Sequence, residues 1–509
     1  QRARSLSQED VIQVTGVVEP RPAANVNPEL ATGAVEVHVV ALEVLAEALT
    51  PPIPVAVSPG DELPGEELRL RYRYLDLRRE ELQRNLALRH VAAKLVRDFL
   101  SAQGFFEIET PLLTRRTPEG ARDFLVPSRV HAGEFYALPQ SPQIYKQLLM
   151  VSGYDRYFQI ARCLRDEDLR QDRQLEFTQI DAEMSFIAEE DVFRVGEGLM
   201  AALWQAVLGV ELTLPFPRLT YREALERYGT DKPDLRFGLE FQDVTELLQQ
   251  ADFRLFQDTK GTGRRIRGLV APGLGAQLSR KELDQLTDIA KAAGAAGALW
   301  VRRTAEGLAG TFAKGLDESL AQRFFEATGL GVGDLFVAVV GYYRLAPLVP
   351  DSHEGVSDAA RLGGAEVALD ALRRHLGDKL GLRTPDKHAW AWVTEFPLFE
   401  WDVESDRLVA AHHPFTSPLA EDVPTLVRFT ESGPPDATAA RALYDAGLRS
   451  RAYDAVYNGN ELASGSIRIH DQTLQRHVFR SIGMSEAEAE QKFGFLLEAF
   501  RYGAPPHGG

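Results

Sequence analysis

Residues Arg162–Asp181 read RCLRDEDLRQDRQLEFTQID and contain the charged turn between two runs of alternating character. These runs, Tyr157–Leu164 and Phe177–Phe186, predict the two strands of an antiparallel hairpin. Since successive side chains of a strand point to opposite faces, the polar and aromatic residues of both arms can share one face. This face is predicted to contain Gln159, Ala161, Cys163, Arg165, Glu167, Phe177, Gln179, Asp181 and Glu183. It would form an open floor suited to a ligand with phosphates and a base.

The hairpin has a second interpretation. Charged hairpin tips are common, and charges also keep exposed sheet edges soluble. Ile180, Ala182 and Met184 would form an apolar opposite face in either case. The choice between a solvated edge and a ligand floor therefore depends on the other segments of the chain.

The composition is that of a globular protein with several domains. The chain has 509 residues, of which 44% are hydrophobic and 26% charged, so we expect roughly two to four domains. A net charge of −17 argues against a globally basic nucleic-acid-binding surface but not against local basic patches. The single cysteine, Cys163, cannot form an internal disulfide and is expected to be a small buried side chain in a reducing compartment. No apolar run is long enough for a transmembrane helix, so a cytoplasmic location and no membrane contact are expected.

Residues 1–50 predict short strands, Val11–Val18 and Val35–Val40. A few short strands cannot close a barrel, so we expect the back part of a β-domain here. Residues 51–85 read as a linker that includes a Pro-rich part and the basic, tyrosine-interleaved stretch Arg69–Arg79. That stretch could contact nucleic acid or pack against acidic neighbours or a subunit partner.

Residues 86–227 are predicted to form a region of helices and strands that contains the first hairpin. A long amphipathic helix extends to about Gln103, and Gly104 is expected to end it. Phe105–Leu113 follows as a strand interrupted by Pro111, which suits a sheet edge or an interface. Helix, strand and proline in this order indicate a dimer contact. The residues predicted for the buried stripe of the helix are Leu86, Val91, Leu95, Phe99 and Leu100.

A second helix start lies at Ser141, a suitable N-cap, with Pro142 at the first helical position. Gln143 and Lys146 fall on one face of its first turn. A helix N-terminus beside a lysine can bind an anion. The alternative is an ordinary capped helix.

Residues 228–388 change in character and are predicted to form an inserted α/β domain, after which strand character resumes in residues 389–509. Hydrophobic runs such as Phe336–Val340 alternate there with helical patterns. The glycines of Gly261–Gly263 and Gly268 match neither a dinucleotide fingerprint nor a P-loop, so we do not expect a nucleotide site in this segment.

Asn458-Gly459 predicts a tight turn between two strands. The turn pairs Val456 with Glu461, which places Asp454 and Glu461 on one face as two carboxylates suited to a hard cation. A bulge at Ser464–Ser466 is predicted to return Arg468 to the same face. Carboxylates that simply point to water are the alternative.

Two adjacent histidines, His412 and His413, precede this second hairpin. Neighbouring residues of a strand point opposite ways, so one histidine is expected inside and one outside, rather than both on a zinc ion.

These segments together predict a site for ATP and a small carboxylate. Asp454 and Glu461 can hold Mg²⁺ on a polyphosphate, Arg165 can bind an α-phosphate, and Phe177 can stack on a purine. Arg468 with Lys146 can read a carboxylate side chain through charge-assisted hydrogen bonds. Carboxyl activation by ATP then requires little beyond in-line positioning and neutralised phosphate charge.

Leu164–Glu167 with Phe177–Asp181 resemble motif 2 of class II aminoacyl-tRNA synthetases, and the segment ending in Thr110-Pro111 resembles their motif 1. The sequences TPEGARD at 117–123, QSPQIYK at 140–146 and HHPF at 412–415 are similar to those of bacterial-type, class IIb aspartyl-tRNA synthetases. The resemblance extends from about Val11 to Gly509.

The resemblance implies an α+β fold: an antiparallel-sheet catalytic domain flanked by helices and formed by residues 86–227 and 389–509, the inserted domain, and the remnant of an N-terminal OB-type barrel. It implies a homodimer that activates L-aspartate with ATP and Mg²⁺ and transfers it to tRNA, with asparagine tRNA as an open second acceptor. It implies a catalytic role for Arg165, which would join the α-carboxylate to the α-phosphate. Aspartate binding is implied for Glu119, Gln143, Lys146, Arg165, His412 and Arg468; ATP binding for Arg165, Asp166, Glu167, Gln174, Phe177 and Glu461; and magnesium binding for Asp454 and Glu461.

Two departures from the family pattern leave rival functions open. The first strands of the barrel are absent, and the sequence stops at Pro505–Gly509, where motif 3 with its ATP-binding arginine is expected to begin. We therefore expect the sequence to be a window on a longer chain. The rivals are an ammonia-dependent asparagine synthetase, which the barrel remnant disfavours, and a non-catalytic tRNA-binding paralogue.

Overall fold

The computed structural model describes residues 5–28, 30–57, 60–116, 122–169, 174–343 and 364–509. The chain divides into two compact units, Gln1–Leu95 and Val96–Gly509. Among the described residues, no helix combines the length and the apolar character needed to cross a membrane.

The strands and helices are numbered in chain order. The strands are β1 (Val11–Pro20), β2 (Val35–Ala46), β3 (Phe106–Glu107), β4 (Leu125–Pro127), β5 (Phe135–Ala137), β6 (Arg156–Leu164), β7 (Glu176–Ser185), β8 (Arg218–Thr220), β9 (Gln242–Asp243), β10 (Arg265–Ala271), β11 (Leu299–Thr304), β12 (Gly307–Gly310), β13 (Leu335–Gly341), β14 (Trp390–Thr394), β15 (Phe399–Asp402), β16 (Arg407–Ala410), β17 (Ala452–Tyr457), β18 (Asn460–Ser466) and β19 (His507–Gly508). The helices are α1 (Glu66–Arg71), α2 (Arg73–Asp76), α3 (Glu80–Ala102), α4 (Gln143–Val151), α5 (Glu189–Leu208), α6 (Tyr221–Tyr228), α7 (Thr245–Leu248), α8 (Arg254–Gln257), α9 (Leu274–Gln277), α10 (Arg280–Ala292), α11 (Glu318–Thr328), α12 (Gly364–Lys379), α13 (Val423–Thr430), α14 (Ala437–Asp445), α15 (Gln472–Ser481) and α16 (Glu486–Phe500).

The first unit contains the antiparallel pair β1 and β2, as the sequence predicts. The basic stretch after the linker folds into α1 and α2 around a buried carboxylate. Arg73 and Arg79 donate to Asp76 at 2.8 Å and 3.0 Å, and Asp76 is fully buried. This geometry favours packing against an acidic neighbour as the role of these two arginines.

The predicted buried stripe of α3 is wrong in the first half of the helix. Leu86 and Val91 are 56% and 50% exposed, whereas Val96 and Leu100 are buried. The buried side chains thus lie in the last turns of α3, and Leu86 and Val91 of its first half stay exposed among the described residues. The helix ends at Ala102, before Gly104, whose φ of +81° is readily adopted by glycine.

The predicted first hairpin is present in the second unit, within a sheet ordered β19-β7-β6-β3. β6 and β7 are antiparallel, and their register pairs Gln159 with Asp181 and Cys163 with Phe177. The polar residues of the two arms therefore share one face, and Cys163 is buried, as predicted. β3 is shorter than expected because Thr110 bonds the side chain of Gln159 at 3.2 Å instead of extending the ladder.

A second sheet of the catalytic region has the order β18-β17-β14-β8. β17 and β18 form the predicted hairpin, with positive φ values of 50° at Asn458 and 84° at Gly459. The segment after β18 bridges to β19 through Ile467 and Gly508. This bridge joins the two sheets and brings both hairpins into one region.

The inserted segment contains a five-stranded sheet ordered β12-β11-β13-β10-β9, and every pairing in it is antiparallel. Alternate residues of β13 enter two separate cores, Val337 and Val339 in one and Phe336 and Ala338 in the other. Both faces of the sheet are thus covered. Gly268 is required by this packing, since a Cβ there would lie 2.4 Å from the Phe336 ring.

Candidate active site

The polar face of the first hairpin points into the protein. Gln159, Asp181 and Glu183 are 8%, 7% and 0% exposed, whereas Ile180 on the opposite face is 44% exposed. The prediction of an open floor is wrong at this end, because Lys146 of α4 and the segment after β18 cover it. The floor is therefore the wall of an enclosed polar site.

Two buried cations meet at Glu183. Arg468 donates to both carboxylate oxygens at 3.0 Å and 3.2 Å, and Lys146 Nζ lies 3.3 Å from Oε2. Burial alone would raise the pKa of Glu183, but Arg468 and Lys146 outweigh it and lower the pKa to about 2. Lys146 and Arg468 are thus brought together as predicted. The counterion role of Glu183 was missed, although its even spacing from Asp181 signalled the shared face.

Several buried polar atoms beside this cluster have no hydrogen-bond partner within the part of the chain that the structure describes. They include Gln143 Nε2 and Asp181 Oδ2. The other oxygen of Asp181 accepts from Lys146 at 2.7 Å. A buried polar atom without a partner costs free energy, so these atoms favour a polar ligand in the site.

The helix that carries Gln143 and Lys146 begins one residue later than predicted. α4 starts at Gln143, and Pro142 precedes it. Ser141 Oγ still accepts from the Gln143 N–H at 3.3 Å, which preserves the capping interaction. Both Gln143 and Lys146 are buried, and Lys146 reaches Asp181 of β7.

Arg165 and Phe177 form a stacked pair at the charged end of the floor. The Arg165 guanidinium carbon lies 5.1 Å from the centre of the Phe177 ring, and its Nε donates to the Gln140 carbonyl at 3.4 Å. Both side chains are half-buried. The cation predicted for a phosphate and the ring predicted for a base are therefore adjacent.

The remaining residues predicted for ATP differ in placement. The Asp166 backbone N–H donates to the Arg122 carbonyl at 3.0 Å, and its side chain is exposed. Glu167 is half-buried and Gln174 is exposed. Glu119, predicted for aspartate, lies outside the described residues.

The second hairpin contains a bulge, but two residues before the predicted position. Val456 pairs with Glu461 and Ala455 with Ala463, so Leu462 is the extra residue. One extra residue at any position between the turn and Arg468 reverses the alternation of side chains once. The displaced bulge therefore leaves Arg468 on the predicted face. Asp454 consequently pairs with Ser464, on the face to which Arg468 returns.

The two carboxylates of this hairpin fit a hard cation. Asp454 is buried and its Oδ1 has no hydrogen-bond partner among the described residues, while Glu461 is bonded by Lys232 at 2.6 Å. Burial, and next the charge of Glu461, raise the pKa of Asp454 to about 8. No group of three or more metal-binding side chains occurs in the described ranges. Two carboxylates completed by phosphates and water are the arrangement that Mg²⁺ prefers.

The two histidines lie in a loop rather than a strand, and both are half-buried, so the prediction of one inside and one outside is wrong. His412 Nε2 is 3.9 Å from Asp454 Oδ1, whereas His413 Nε2 is 2.7 Å from Arg468 Nη1. Burial lowers the pKa of both imidazoles. They contact different partners and share no metal site in the described structure.

Sequence reasoning missed the residues of β19 and the lysine on Glu461. The His507 carbonyl accepts from the Arg468 N–H at 2.9 Å, and the Gly509 carbonyl accepts from its Nη2 at 3.0 Å. No periodicity in this short Pro/Gly-rich stretch signals a strand. Lys232 belongs to the start of the inserted segment, and nothing in its local sequence connects it with Glu461.

Comparisons with known proteins identify the family of this chain. Residues 65–509 match the family described as tRNA synthetases class II (D, K and N). The chain is 47% identical over 510 residues to the aspartate–tRNA(Asp/Asn) ligase of Persephonella marina, covering 100% of this chain and 79% of that protein. It is 50% identical to the protein of that name from Moorella thermoacetica, with 100% and 78% coverage. It is 46% identical to the aspartate–tRNA ligase of Staphylococcus carnosus, with 100% and 80% coverage.

Solved structures support the fold. An Entamoeba histolytica asparaginyl-tRNA synthetase is similar with a TM-score of 0.53 and 15% identity, covering 100% of this chain and 79% of that one. The asparaginyl-tRNA synthetase of Pyrococcus horikoshii gives a TM-score of 0.53 at 17% identity, with 100% and 78% coverage. The predicted α+β architecture is thereby confirmed, and the chain belongs to the class II aminoacyl-tRNA synthetases, among their bacterial aspartate-type members.

Proposed function

We propose that this chain is an aspartate–tRNA ligase, which activates L-aspartate with ATP and transfers it to the 3′ end of tRNA. The proposal rests on a cluster of buried ion pairs. Lys146 and Arg468 are its cations, and Asp181 and Glu183 are its carboxylates. Two cations and two carboxylates in one enclosed site complement a substrate that has one ammonium and two carboxylates. Relatives that are 46–50% identical over the whole of this chain are named for this activity.

The residues of the site would divide the substrate between them. Arg468 and Lys146 hold the side-chain carboxylate through charge-assisted hydrogen bonds. Gln143 and Glu119 contact the backbone groups of the amino acid, with His412 at the edge of the pocket. Asp181 Oδ2, which has no partner among the described residues, is a further acceptor for the substrate ammonium.

Arg165 would orient the reacting atoms. It contacts the α-carboxylate of aspartate and the α-phosphate of ATP, while Phe177 stacks on the adenine. The ATP is also contacted by Asp166, Glu167, Gln174 and Glu461. The aspartate carboxylate is already a nucleophile, so no general base is needed. A bond forms from its oxygen to the α-phosphorus, and the bond from that phosphorus to pyrophosphate breaks.

Asp454 and Glu461 would hold the magnesium ion, which when bound neutralises charge on the polyphosphate. The fit rests on the buried Asp454 Oδ1, which no donor satisfies in the described residues. Lys232 Nζ, 2.6 Å from Glu461 Oε2, balances the charge of that carboxylate.

The rival functions are not favoured. The relatives that match the whole chain are named as aspartate–tRNA ligases rather than as asparagine synthetases or as proteins without catalytic activity. Some of these names specify tRNA(Asp/Asn) and others do not. Measuring aspartylation of tRNA(Asp) and of tRNA(Asn) in parallel would show whether this chain charges one tRNA or both.

We also propose a homodimer in the cytoplasm. Apolar side chains around the edge strand β3 and on the outer face of β7 are exposed: Phe106 at 61%, Leu112 at 51%, Leu113 at 53% and Ile180 at 44%. A cluster of large apolar side chains at a sheet edge is typical of a protein interface. A second copy of the chain is the partner that the family resemblance implies.

Aspartate-dependent exchange of pyrophosphate into ATP tests the proposed function. We expect exchange with L-aspartate and none with L-asparagine or L-glutamate, followed by aspartylation of tRNA. Absence of exchange with every amino acid would contradict it. Formation of asparagine from aspartate, ATP and ammonia without tRNA would support the synthetase alternative instead.

A further inference from the structure

A lysine from the start of the inserted segment reaches the candidate cation site. Lys232 Nζ lies 2.6 Å from Glu461 Oε2, and the two side chains are 34% and 36% exposed. The other carboxylate, Asp454, is buried, with one oxygen that has no partner among the described residues. The ammonium therefore occupies the more accessible carboxylate, at the place where a cation bound to polyphosphate would be held.

The backbone that carries Lys232 is fixed next to the second hairpin. Asp234 accepts from Arg236 Nη2 at 2.6 Å and from Arg383 Nε at 3.2 Å. A Cβ on Gly459, in the hairpin turn, would lie 3.3 Å from the Asp234 Cβ, so the two segments are in contact. The main chain near Lys232 is thus held in place, and its side chain, 34% exposed, ends at Glu461.

We propose that Lys232 changes partners during the reaction. Its ammonium rests on Glu461 in the free protein and moves to the leaving pyrophosphate once that carboxylate is used for the divalent cation. The inference rests on the proposed function, because it requires a polyphosphate substrate.

Electrostatics supports such an exchange. An ammonium and a divalent cation on the same carboxylate oxygen would repel each other at close range. A lysine is a compact point charge on a flexible stem, suited to following a phosphate group. Negative charge accumulates on pyrophosphate as its bond to the α-phosphorus breaks, so a cation there stabilises the transition state.

The test compares Lys232→Met and Lys232→Arg with Lys379→Met. Lys379 is a matched control, since its Nζ lies 2.8 Å from Glu282 with side-chain exposures of 37% and 34%, within the inserted segment. Pyrophosphate binding is measured by calorimetry at saturating Mg²⁺. Binding of Mg²⁺ alone is measured as the concentration that gives half of the maximal thermal stabilisation.

Lys232→Met is expected to weaken pyrophosphate binding roughly tenfold or more, since a charge-assisted contact is lost. It should lower the half-saturating Mg²⁺ concentration, because no ammonium then competes for Glu461. Lys232→Arg should retain part of the pyrophosphate affinity, and Lys379→Met should change neither quantity.

Unchanged pyrophosphate affinity in Lys232→Met would overturn the inference, as would a half-saturating Mg²⁺ concentration that does not fall. Both readouts are equilibrium measurements, and the melting temperature without ligands shows that each variant is folded. Aspartate-dependent exchange by the unaltered protein separates the two proposals. Exchange together with an unaffected Lys232→Met variant rejects only the role of Lys232, whereas lack of exchange rejects the proposed function.

Discussion

Glu183 bonds both Nε and Nη2 of Arg468, at 3.0 Å and 3.2 Å, with the two side chains 0% and 3% exposed. A bidentate pair fixes the guanidinium in its plane as well as in position. Lys146, 3.3 Å from the same carboxylate, is held by the same anion. The distance between Lys146 and Arg468, the two cations proposed to bind the substrate, is therefore set by a carboxylate that need not touch the substrate itself.

The first prediction concerns the stability that this carboxylate provides. Glu183→Gln is expected to lower the free energy of unfolding at pH 7 by roughly 3–5 kcal/mol, because it leaves two buried cations without their anion. The folded-state pKa of about 2 lies below the usual glutamate pKa of 4.5. The contribution is therefore complete above about pH 4.5 and is lost as the pH falls toward about 2. Urea unfolding should show that the difference in free energy of unfolding between Glu183→Gln and the unaltered protein becomes smaller as the pH falls through this range.

The same strand offers a control. Glu176 pairs with Arg162 on the surface, with side chains that are 53% and 58% exposed. Glu176→Gln is expected to change the free energy of unfolding by no more than about 0.5 kcal/mol. A loss as large as that of Glu183→Gln would show that burial of the ion pair is not the cause.

The second prediction separates aspartate binding from ATP binding. Arg468→Leu removes a guanidinium group that hydrogen-bonds Glu183, His413, Ser466 and Gly509. Aspartate-dependent exchange is expected to fall at least about 100-fold, as for other truncations of a buried charge pair. Equilibrium binding of ATP without aspartate should be retained. Equal loss of both would contradict the assignment of Arg468 to aspartate.

The third prediction tests the stacked pair at the other end of the site. Phe177→Leu removes the ring that faces Arg165 at 5.1 Å. Stacking of a base on an aromatic side chain contributes roughly 1–3 kcal/mol, so the half-saturating ATP concentration should rise by about five- to 150-fold. Aspartate affinity should change little. Phe186→Leu, at an aromatic residue 71% exposed beyond the end of β7, serves as the control; an equal effect there would contradict stacking at Phe177.

The sequence predicted the parts of this site that depend on local pattern. Alternation placed Gln159 and Asp181 on one face, and Asn458-Gly459 determined the turn that pairs Val456 with Glu461. The bulge lies two residues from its predicted position, yet Arg468 is on the predicted face. The presence of a bulge before Arg468, and not its exact position, decides which face the side chain takes. Local geometry of this kind is determined within one hairpin.

The features that were not predicted all depend on segments distant in sequence. Lys232 meets Glu461 only because the inserted segment starts beside the second hairpin. The floor is enclosed because β19 and Arg468 return to β7. Leu86 belongs to the predicted apolar stripe, yet its side chain is 56% exposed among the described residues. Periodicity reports which face is apolar and does not report what packs against it.

The fourth prediction concerns the proposed dimer. Ile180→Asp places a charge on the outer face of β7, where the isoleucine is 44% exposed. If a second copy covers this face, the variant should sediment as a monomer at concentrations where the unaltered protein is a dimer. Val130→Asp, at a residue 82% exposed in a loop, should leave the sedimentation unchanged. Dimers that persist in Ile180→Asp would place the interface elsewhere.

The fifth prediction tests whether the inserted segment positions the cation site. Gly459 has a φ of +84°, and a Cβ there would lie 3.3 Å from that of Asp234. Gly381 has a φ of +64° with nothing within 4 Å of such a Cβ. Alanine at either position is strained by about 1 kcal/mol or more, but only Gly459→Ala also moves the Asp234 segment away from the hairpin. Urea unfolding and Mg²⁺ titration should therefore show a larger loss of stability and a shifted half-saturating Mg²⁺ concentration for Gly459→Ala. Equal losses of stability and equal Mg²⁺ titrations for the two variants would contradict this prediction. They would mean that the contact with Asp234 does not fix the position of Lys232 relative to Glu461.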